Sequence, residues 1–141
     1  DASLIKFKGT FLIDALLAMG VDKILFDRIN YSQINSFVVE AHRQEEILDK
    51  QHRLWINDTK ATNIDATISA IKTNHHRFIH LIVGGDDKGV ELEQLFEYLQ
   101  NSNLKLYTIG SNKQRLSTLA KKYTIEYKEC KNLVDAIYSI D

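Results

Sequence analysis

The sequence has 141 residues, a length that suits one domain, or one domain with part of another, and excludes a large multidomain enzyme. Hydrophobic residues make up 44% of it and charged residues 26%, close to the averages of globular proteins, so intrinsic disorder is excluded. Eighteen basic and nineteen acidic side chains give a net charge of −1, and this balance offers no general attraction to nucleic acid or to an anionic membrane surface.

Cysteine usage and apolar runs bear on where the protein works. Cys130 is the only cysteine and has no disulfide partner within the chain. No segment has the charged start and apolar run of a signal peptide. The longest nearly apolar stretches, residues 78–83 and 15–19, are far shorter than the roughly 18 residues of a membrane span. We therefore expect a soluble, cytoplasmic protein without a membrane partner.

The first 50 residues are predicted to begin with helices. One helix face is formed by Phe11, Leu12, Ala15 and Leu16. Gly20 is expected to end this helix, because glycine is common just past a helix end. A second helix is indicated by Ile24, Leu25 and Ile29. We predict a domain boundary near Glu40.

A hairpin is predicted next, in which residues 42–48 and 53–57 flank a short polar turn at residues 49–51. Its first arm would add an antiparallel edge strand. From Arg53 onward, short apolar runs alternate with helical periodicity, which is typical of strands joined by helices over a largely parallel sheet. The predicted strands are residues 54–56, 78–83, 104–109 and 124–127.

Each predicted strand is followed by an amphipathic helix. The apolar stripes of these helices are Ile64, Ile68 and Ile71; Leu92, Leu95, Phe96 and Leu99; Leu116, Leu119, Ala120 and Tyr123; and Leu133, Ala136, Ile137 and Ile140. The predicted fold class is therefore α/β, with a Rossmann-like, mostly parallel sheet flanked by helices and preceded by a short helical segment. The pattern ends on a helix, as though another strand were due.

Polar residues follow the first of these strands, at the edge of a parallel sheet where ligands collect. Residues 57–63 read Asn-Asp-Thr-Lys-Ala-Thr-Asn, and Thr62 with Asp65 three residues later has the form of a helix N-cap. The Lys60 ammonium, the Thr62 hydroxyl and the helix start would together attract a carboxylate or phosphate. A solvated turn with an ordinary cap explains the same spacing equally well.

A glycine-rich loop follows the second predicted strand. Residues 84–89 read Gly-Gly-Asp-Asp-Lys-Gly, and three glycines in six residues allow close backbone approach or positive φ. Lys88 could reach an anion held between two strand ends. The alternative is a tight turn before a helix that begins near Val90. Neither phosphate-binding fingerprint, GxxxxGK[ST] or GxGxxG, occurs in the sequence.

Histidine and cysteine give no strong signal for a metal site or a nucleophile. His75, His76 and His80 are close in sequence, but the adjacent pair points two ways and no cysteine or carboxylate completes a tetrahedral set. Cys130 has no neighbouring helix start or base that would activate it. We predict no metal site and an inert thiol.

Three of these segments, taken in order, resemble the motifs of the Mur ligase family. They are residues 42–45 (His-Arg-Gln-Glu), 57–63 and 84–89. The second segment is the most specific, and the Gly-Gly-Asp-x-Lys loop points to the D-glutamate-adding members. The resemblance implies that residues 41–141 are the Rossmann-like, C-terminal domain that binds D-glutamate, truncated before its last strand. Residues 1–40 would be the helical tail end of the central ATPase domain.

The resemblance also implies an activity. The D-glutamate-adding Mur ligases use ATP and Mg²⁺ to convert the carboxylate of UDP-N-acetylmuramoyl-L-alanine into an acyl phosphate, which the amine of D-glutamate attacks, in cytoplasmic synthesis of the peptidoglycan precursor. The positions that match the family's nucleotide-binding residues are His42, Arg43 and Asp58. Those that match its D-glutamate-binding residues are Lys60, Thr62 and Lys88. Arg43 would lie near the phosphates and Asp58 on the ribose hydroxyls.

The family's phosphate-binding loop and Mg²⁺ ligands belong to its central domain and are absent from this sequence. The chain alone is therefore expected to be inactive, with ATP and Mg²⁺ held mainly by that domain. A function of another class stays open: a stand-alone Rossmann-like module that binds a nucleotide or a protein partner without catalysis.

Overall fold

The computed structural model describes residues 1–86 and 89–140. The chain divides into two compact units, the first of residues 1–73 and the second from residue 74 onward. The predicted boundary near Glu40 concerns the domains of a longer protein. That boundary, and the assignment of residues 1–40 and 41–141 to two such domains, stay predictions.

The first unit begins with helices. A 3-10 turn spans Ala2–Leu4, α1 spans Gly9–Phe26 and α2 spans Tyr31–Ser36. A small core is formed by the buried residues Ile5, Ala15 and Met19, against which Phe7, Leu12, Tyr31 and Ile34 pack. The first turn of α2 is closed by Asn30, the side chain of which accepts a hydrogen bond from the Gln33 N–H at 2.9 Å.

The predicted break at Gly20 is wrong, because α1 continues through this glycine for six more residues. A single glycine inside a helix costs about 1 kcal/mol, which neighbouring residues can offset. The helix ends instead at Asp27, where φ is 52° and the backbone N–H donates to the Lys23 carbonyl. The two predicted helices are therefore one.

Much of the surface of α1 is apolar and exposed. The exposed apolar residues of this helix are Ile13, Leu16, Leu17, Val21, Ile24, Leu25 and Phe26. Such residues occur on nearly every side of the helix, whereas a helix that packs through one face has a single apolar stripe.

Within the described residues, no helix combines the length and the apolar character that crossing a membrane requires.

The predicted hairpin is confirmed, but its first strand begins at Glu45 and not at His42. Strand β1 (Glu45–Leu48) pairs antiparallel with β2 (Leu54–Asn57), and the register places Glu45 opposite Asn57 and Leu48 opposite Leu54. Helix α3 (Ile64–Thr73) follows and buries Ile68. Among the described residues β2 pairs with β1 in a two-stranded sheet of their own, so its predicted place in the parallel sheet is wrong. Apolar periodicity indicates that a strand exists but not which strand it pairs with.

One carboxylate holds the turn of the hairpin. Asp49 accepts hydrogen bonds from the Trp55 indole N–H at 2.9 Å, from the Arg53 backbone N–H at 2.9 Å and from the Gln51 N–H at 2.8 Å. These donors, Trp55 first, hold the pKa of the Asp49 carboxyl well below its usual range. Asp49 therefore connects the turn to Arg53 and Trp55 in the second arm of the hairpin.

The second unit contains a parallel sheet in the order β3-β4-β5. Its strands are β3 (Ile79–Gly84), β4 (Leu104–Ile109) and β5 (Tyr127–Glu129), and its helices are α4 (Glu93–Leu99), α5 (Lys113–Lys122) and α6 (Leu133–Tyr138). The α/β, Rossmann-like class is confirmed. The central strand β4 carries Leu106, Tyr107 and Thr108, each at most 1% exposed, and Phe96 from α4 is fully buried.

Two predicted bounds in this unit are wrong. The last strand begins at Tyr127 and not at Thr124, which has a φ of 56°. The N–H of Ile125 donates to the Ala120 carbonyl, so these residues close the end of α5 before the strand begins. Helix α4 begins at Glu93 rather than near Val90.

Replacing Gly20 with alanine should stabilise the protein by about 0.5 to 1 kcal/mol, because alanine loses less backbone entropy in a helix than glycine does. A Cβ at Gly20 would meet no atom within 4 Å. The free energy of unfolding, measured in urea, tests this. The matched control is Gly9→Ala, which should be destabilising because φ at Gly9 is 57°. A loss of stability in Gly20→Ala would contradict a continuous α1.

Candidate functional site

The antiparallel register of the hairpin brings two of the predicted motifs together. Because Glu45 opens β1 and its partner Asn57 closes β2, the residues before β1 and after β2 lie at the same end of the hairpin. We call residues 40–45 and 57–60 the open end. Across it, the Lys60 N–H donates to the His42 carbonyl at 3.2 Å, and the Gln44 N–H donates to Asp58 Oδ1 at 3.1 Å.

His42 lies in a polar cluster at the open end. Its φ is 66°, and its ring Nδ1 is 2.7 Å from the Asn57 amide nitrogen. An amide nitrogen donates, so this contact suits the tautomer in which Nδ1 accepts. Glu45 Oε2 accepts from the His42 N–H at 3.1 Å and from the Asn57 amide at 3.3 Å. The cluster fixes the backbone that carries both motifs.

Asp58 is half-buried beside this cluster. Its Oδ1 accepts the Gln44 N–H, and its backbone carbonyl accepts the Ala61 N–H at 2.9 Å in a turn. Gln44 has a φ of 47°, so the segment before β1 bends sharply to make this contact. The predicted nucleotide-binding carboxylate is therefore held against the backbone of the His-Arg motif.

The two predicted ligand-binding cations of the open end share one partner. Glu40 Oε1 accepts from Lys60 Nζ at 3.0 Å, and Glu40 Oε2 accepts from Arg43 Nε at 3.3 Å. Lys60, and then Arg43, lower the pKa of the Glu40 carboxyl. Sequence reasoning missed Glu40, because a single acidic residue ahead of the His-Arg motif gives no signal of its own.

The predicted helix cap at Thr62 is wrong. Helix α3 begins at Ile64, and Asn63 Oδ1 accepts the Ala66 N–H at 2.8 Å. Asn63 therefore caps the helix, and Thr62, one residue earlier, is exposed. Both residue types are common N-caps, so the choice depends on where the helix begins. Whether Thr62 binds D-glutamate stays a prediction.

The glycine-rich loop falls partly outside the described residues. Lys88 and Asp87 are not among them, so the predicted role of Lys88 stays a prediction. The first glycines of the loop are described and have a packing role. A Cβ on Gly84 would lie 2.0 Å from the Ile109 carbonyl oxygen at the end of β4. Only glycine fits where β3 and β4 end this close together.

Residues after β4 bind the same turn. The Gly85 N–H donates to Asn112 Oδ1 at 3.1 Å, and the Ser111 hydroxyl donates to the Gly85 carbonyl at 2.8 Å. A Cβ on Gly110 would lie 2.6 Å from the Gly85 nitrogen. The described part of the loop is therefore fastened to the segment between β4 and α5.

The three histidines that lie close together in the sequence contact aromatic side chains. His75 and His76 lie edge to face with ring centroids 5.9 Å apart. His80 Nδ1 is 3.0 Å from the Tyr107 hydroxyl, and burial lowers the pKa of His80. Among residues 1–86 and 89–140, no group of three or more His, Cys, Asp or Glu side chains is arranged to hold a metal ion.

Comparison with known proteins bears on the motifs at the open end. Over 140 residues the chain is 44% identical to the UDP-N-acetylmuramoylalanine--D-glutamate ligase of Campylobacter jejuni, and the match covers 99% of this chain. The ligase of the same name from Helicobacter pylori is 42% identical and covers 95% of the chain. The resemblance to the Mur ligase family is confirmed. No family model matches the chain.

The Mur ligase similarity extends over the whole chain but over only part of each relative. The chain spans 35% of the Campylobacter protein and 34% of the Helicobacter protein. The Escherichia coli ligase of the same name is 36% identical over 87 residues. The similarity supports a Mur ligase domain, and the hairpin with its open end belongs to it.

Replacing Gly84 with alanine should destabilise the protein by about 3 kcal/mol, because the new Cβ would clash with the Ile109 carbonyl as well as strain the backbone. Urea unfolding measures the loss. The matched control is Gly85→Ala, which has a similar φ of 147° but no atom within 4 Å of its Cβ, and should lose only about 1 kcal/mol. Equal losses in both variants would contradict the close approach of the strand ends.

Replacing Lys60 with methionine should raise the pKa of Glu40, because the first of the groups that lower it is removed. Arg43→Met should raise it less. The pKa is measured by following the side-chain carboxyl resonance of Glu40 in an NMR titration. Lys50→Met, a variant of the turn at the other end of the hairpin, is the control and should leave it unchanged. A Glu40 pKa that none of these changes moves would refute the shared ion pair.

Proposed function

We propose that this chain is the C-terminal part of an ATP-dependent ligase that adds D-glutamate to UDP-N-acetylmuramoyl-L-alanine in cytoplasmic peptidoglycan precursor synthesis. The observation that carries the proposal is the contact between the His-Arg and Asn-Asp-Thr-Lys motifs at the open end. The 44% identity to a ligase of that name supports it. The proposal assigns the chain a binding role, with the remaining parts of the active site in the rest of a longer protein.

For the nucleotide, the proposal uses residues on both sides of the open end. The Arg43 side chain is 48% exposed, so its guanidinium can reach the phosphates of ATP. Asp58 supplies carboxylate oxygens suited to ribose hydroxyls, and its backbone contacts hold it in place. His42 lies next to Arg43. When bound, ATP supplies the phosphoryl group that activates the carboxylate of the UDP-linked substrate.

The proposal places Mg²⁺ with residues outside this chain. The chain's own contribution is then electrostatic: fixed cations next to the anionic groups of the reactants.

For D-glutamate, the proposal uses the segment that leads into α3. The Lys60 ammonium would bind one carboxylate of D-glutamate, and the Thr62 hydroxyl would donate to it. Lys88 would supply a second cation. These contacts orient the amino group of D-glutamate for attack on the activated carboxyl carbon, forming the amide and releasing phosphate. The chain alone would bind these ligands incompletely and would not catalyse the reaction.

In the full-length protein, Lys60→Ala should raise the KM for D-glutamate by about tenfold or more and lower kcat, because a charged hydrogen bond to the acceptor is lost. Steady-state release of phosphate measures both constants. The control is Lys50→Ala, which removes the same charge from the turn at the far end of the hairpin and should leave both constants unchanged.

Wild-type kinetics in Lys60→Ala would count against the assignment of Lys60, and absence of D-glutamate-dependent turnover in the wild-type protein would overturn the proposed function itself. Calorimetric titration of ATP into the 141-residue chain gives a separate check. Micromolar binding would favour a stand-alone nucleotide module. Binding too weak for calorimetry, in the millimolar range that only an NMR titration follows, is the expected result.

A further inference from the structure

Glu40 occupies the position of an anion at the open end. Its two carboxylate oxygens accept from Lys60 Nζ at 3.0 Å and from Arg43 Nε at 3.3 Å. These are the two cations of the open end that the proposed function assigns to anionic ligands, one to a carboxylate and one to phosphates. A carboxylate of the protein itself therefore contacts both donors that the ligands would use.

The negative charge of Glu40 makes the open end less attractive to an anionic ligand. Lys60 and Arg43 contribute two positive charges, and Glu40 cancels one of them. An anion that approaches either cation also meets the negative charge of Glu40, because both of its oxygens lie within hydrogen-bond distance of the cations. Repulsion between like charges at such distances weakens binding.

The same ion pairs are weak enough to open. The side chain of Glu40 is 60% exposed, and those of Lys60 and Arg43 are 41% and 48% exposed. Exposed ion pairs contribute little stabilising free energy, because water screens the charges and fixing two long side chains in one conformation costs entropy. Lys60 and then Arg43 lower the pKa of Glu40, which favours the charged form of its carboxyl. It is a charged but displaceable partner.

We propose that Glu40 is an internal counter-anion that the carboxylate of D-glutamate and the phosphates of ATP must displace, and that it thereby sets the affinity of the open end for both ligands. This inference rests on the proposed function. Glu40 is a positioning residue here, since it acts through Lys60 and Arg43 and contacts neither ligand.

The test is steady-state kinetics of the full-length protein with Glu40→Gln. This change keeps the size of the side chain and removes its charge. We expect the KM values for D-glutamate and for ATP each to fall by about two- to fivefold, the range of an exposed ion pair, with kcat unchanged within twofold. Added salt should raise both KM values more steeply in the variant, because the site then carries one more net positive charge.

Two further variants separate this role from a structural one. Glu40→Asp keeps the charge and should keep both KM values near those of the wild type. Glu46→Gln removes the same charge from an exposed position in β1 and should also match the wild type. A thermal unfolding midpoint of Glu40→Gln close to that of the wild type shows that the fold is intact. If the midpoint falls, the affinity of the folded variant for pyrophosphate is measured at low temperature. Tighter binding than by the wild type then supports the inference, and equal or weaker binding overturns it.

An unchanged or raised KM for both ligands in Glu40→Gln would overturn the inference while leaving the ligase function standing. If the wild-type protein has no ligase activity, the proposed function fails and the inference is judged on binding alone. Inorganic pyrophosphate is then titrated into the 141-residue chain and followed by NMR at Lys60 and Arg43. Tighter binding by Glu40→Gln than by the wild type supports a counter-anion, and equal or weaker binding overturns it.

Discussion

The open end depends on the antiparallel register of β1 and β2. Gln44 and Asp58 are 14 positions apart in the chain, and they meet because the register places Glu45 opposite Asn57. A shift of one residue would turn each side chain of a strand to the other face of the hairpin and separate the motifs. The bonds that Asp49 makes at the turn fix that register from the opposite end.

Much of this fold follows from apolar periodicity. Residues 104–109 were predicted as a strand and form β4, and the apolar stripe that begins at Leu116 belongs to α5. The short polar turn at residues 49–51, flanked by residues 42–48 and 53–57, was enough to predict the hairpin. For β4 and α5 the buried apolar residues give the element, because their burial stabilises it. The hairpin then predicts that residues on either side of it lie together.

Other features depend on information that a pattern of residue types does not contain. Gly20 is a helix-ending residue by frequency, yet α1 continues through it because the residues around it form a helix. Thr124 looks like a strand residue, but its positive φ closes α5. Glu40 gave no signal, since its importance comes from two cations, one of which is 20 positions away in the chain. Pairing partners and charge neighbours are set by tertiary structure.

The apolar surface of α1 affects the thermodynamics of the chain. Unfolding raises the heat capacity chiefly by exposing apolar surface to water, and the typical increment is roughly 12 to 15 cal/mol/K per residue. Side chains such as Ile24, already 83% exposed, have little more to expose. The exposed apolar side chains of α1 therefore add little to the heat-capacity increment of unfolding, and the curvature of stability with temperature comes mainly from the buried residues elsewhere in the chain.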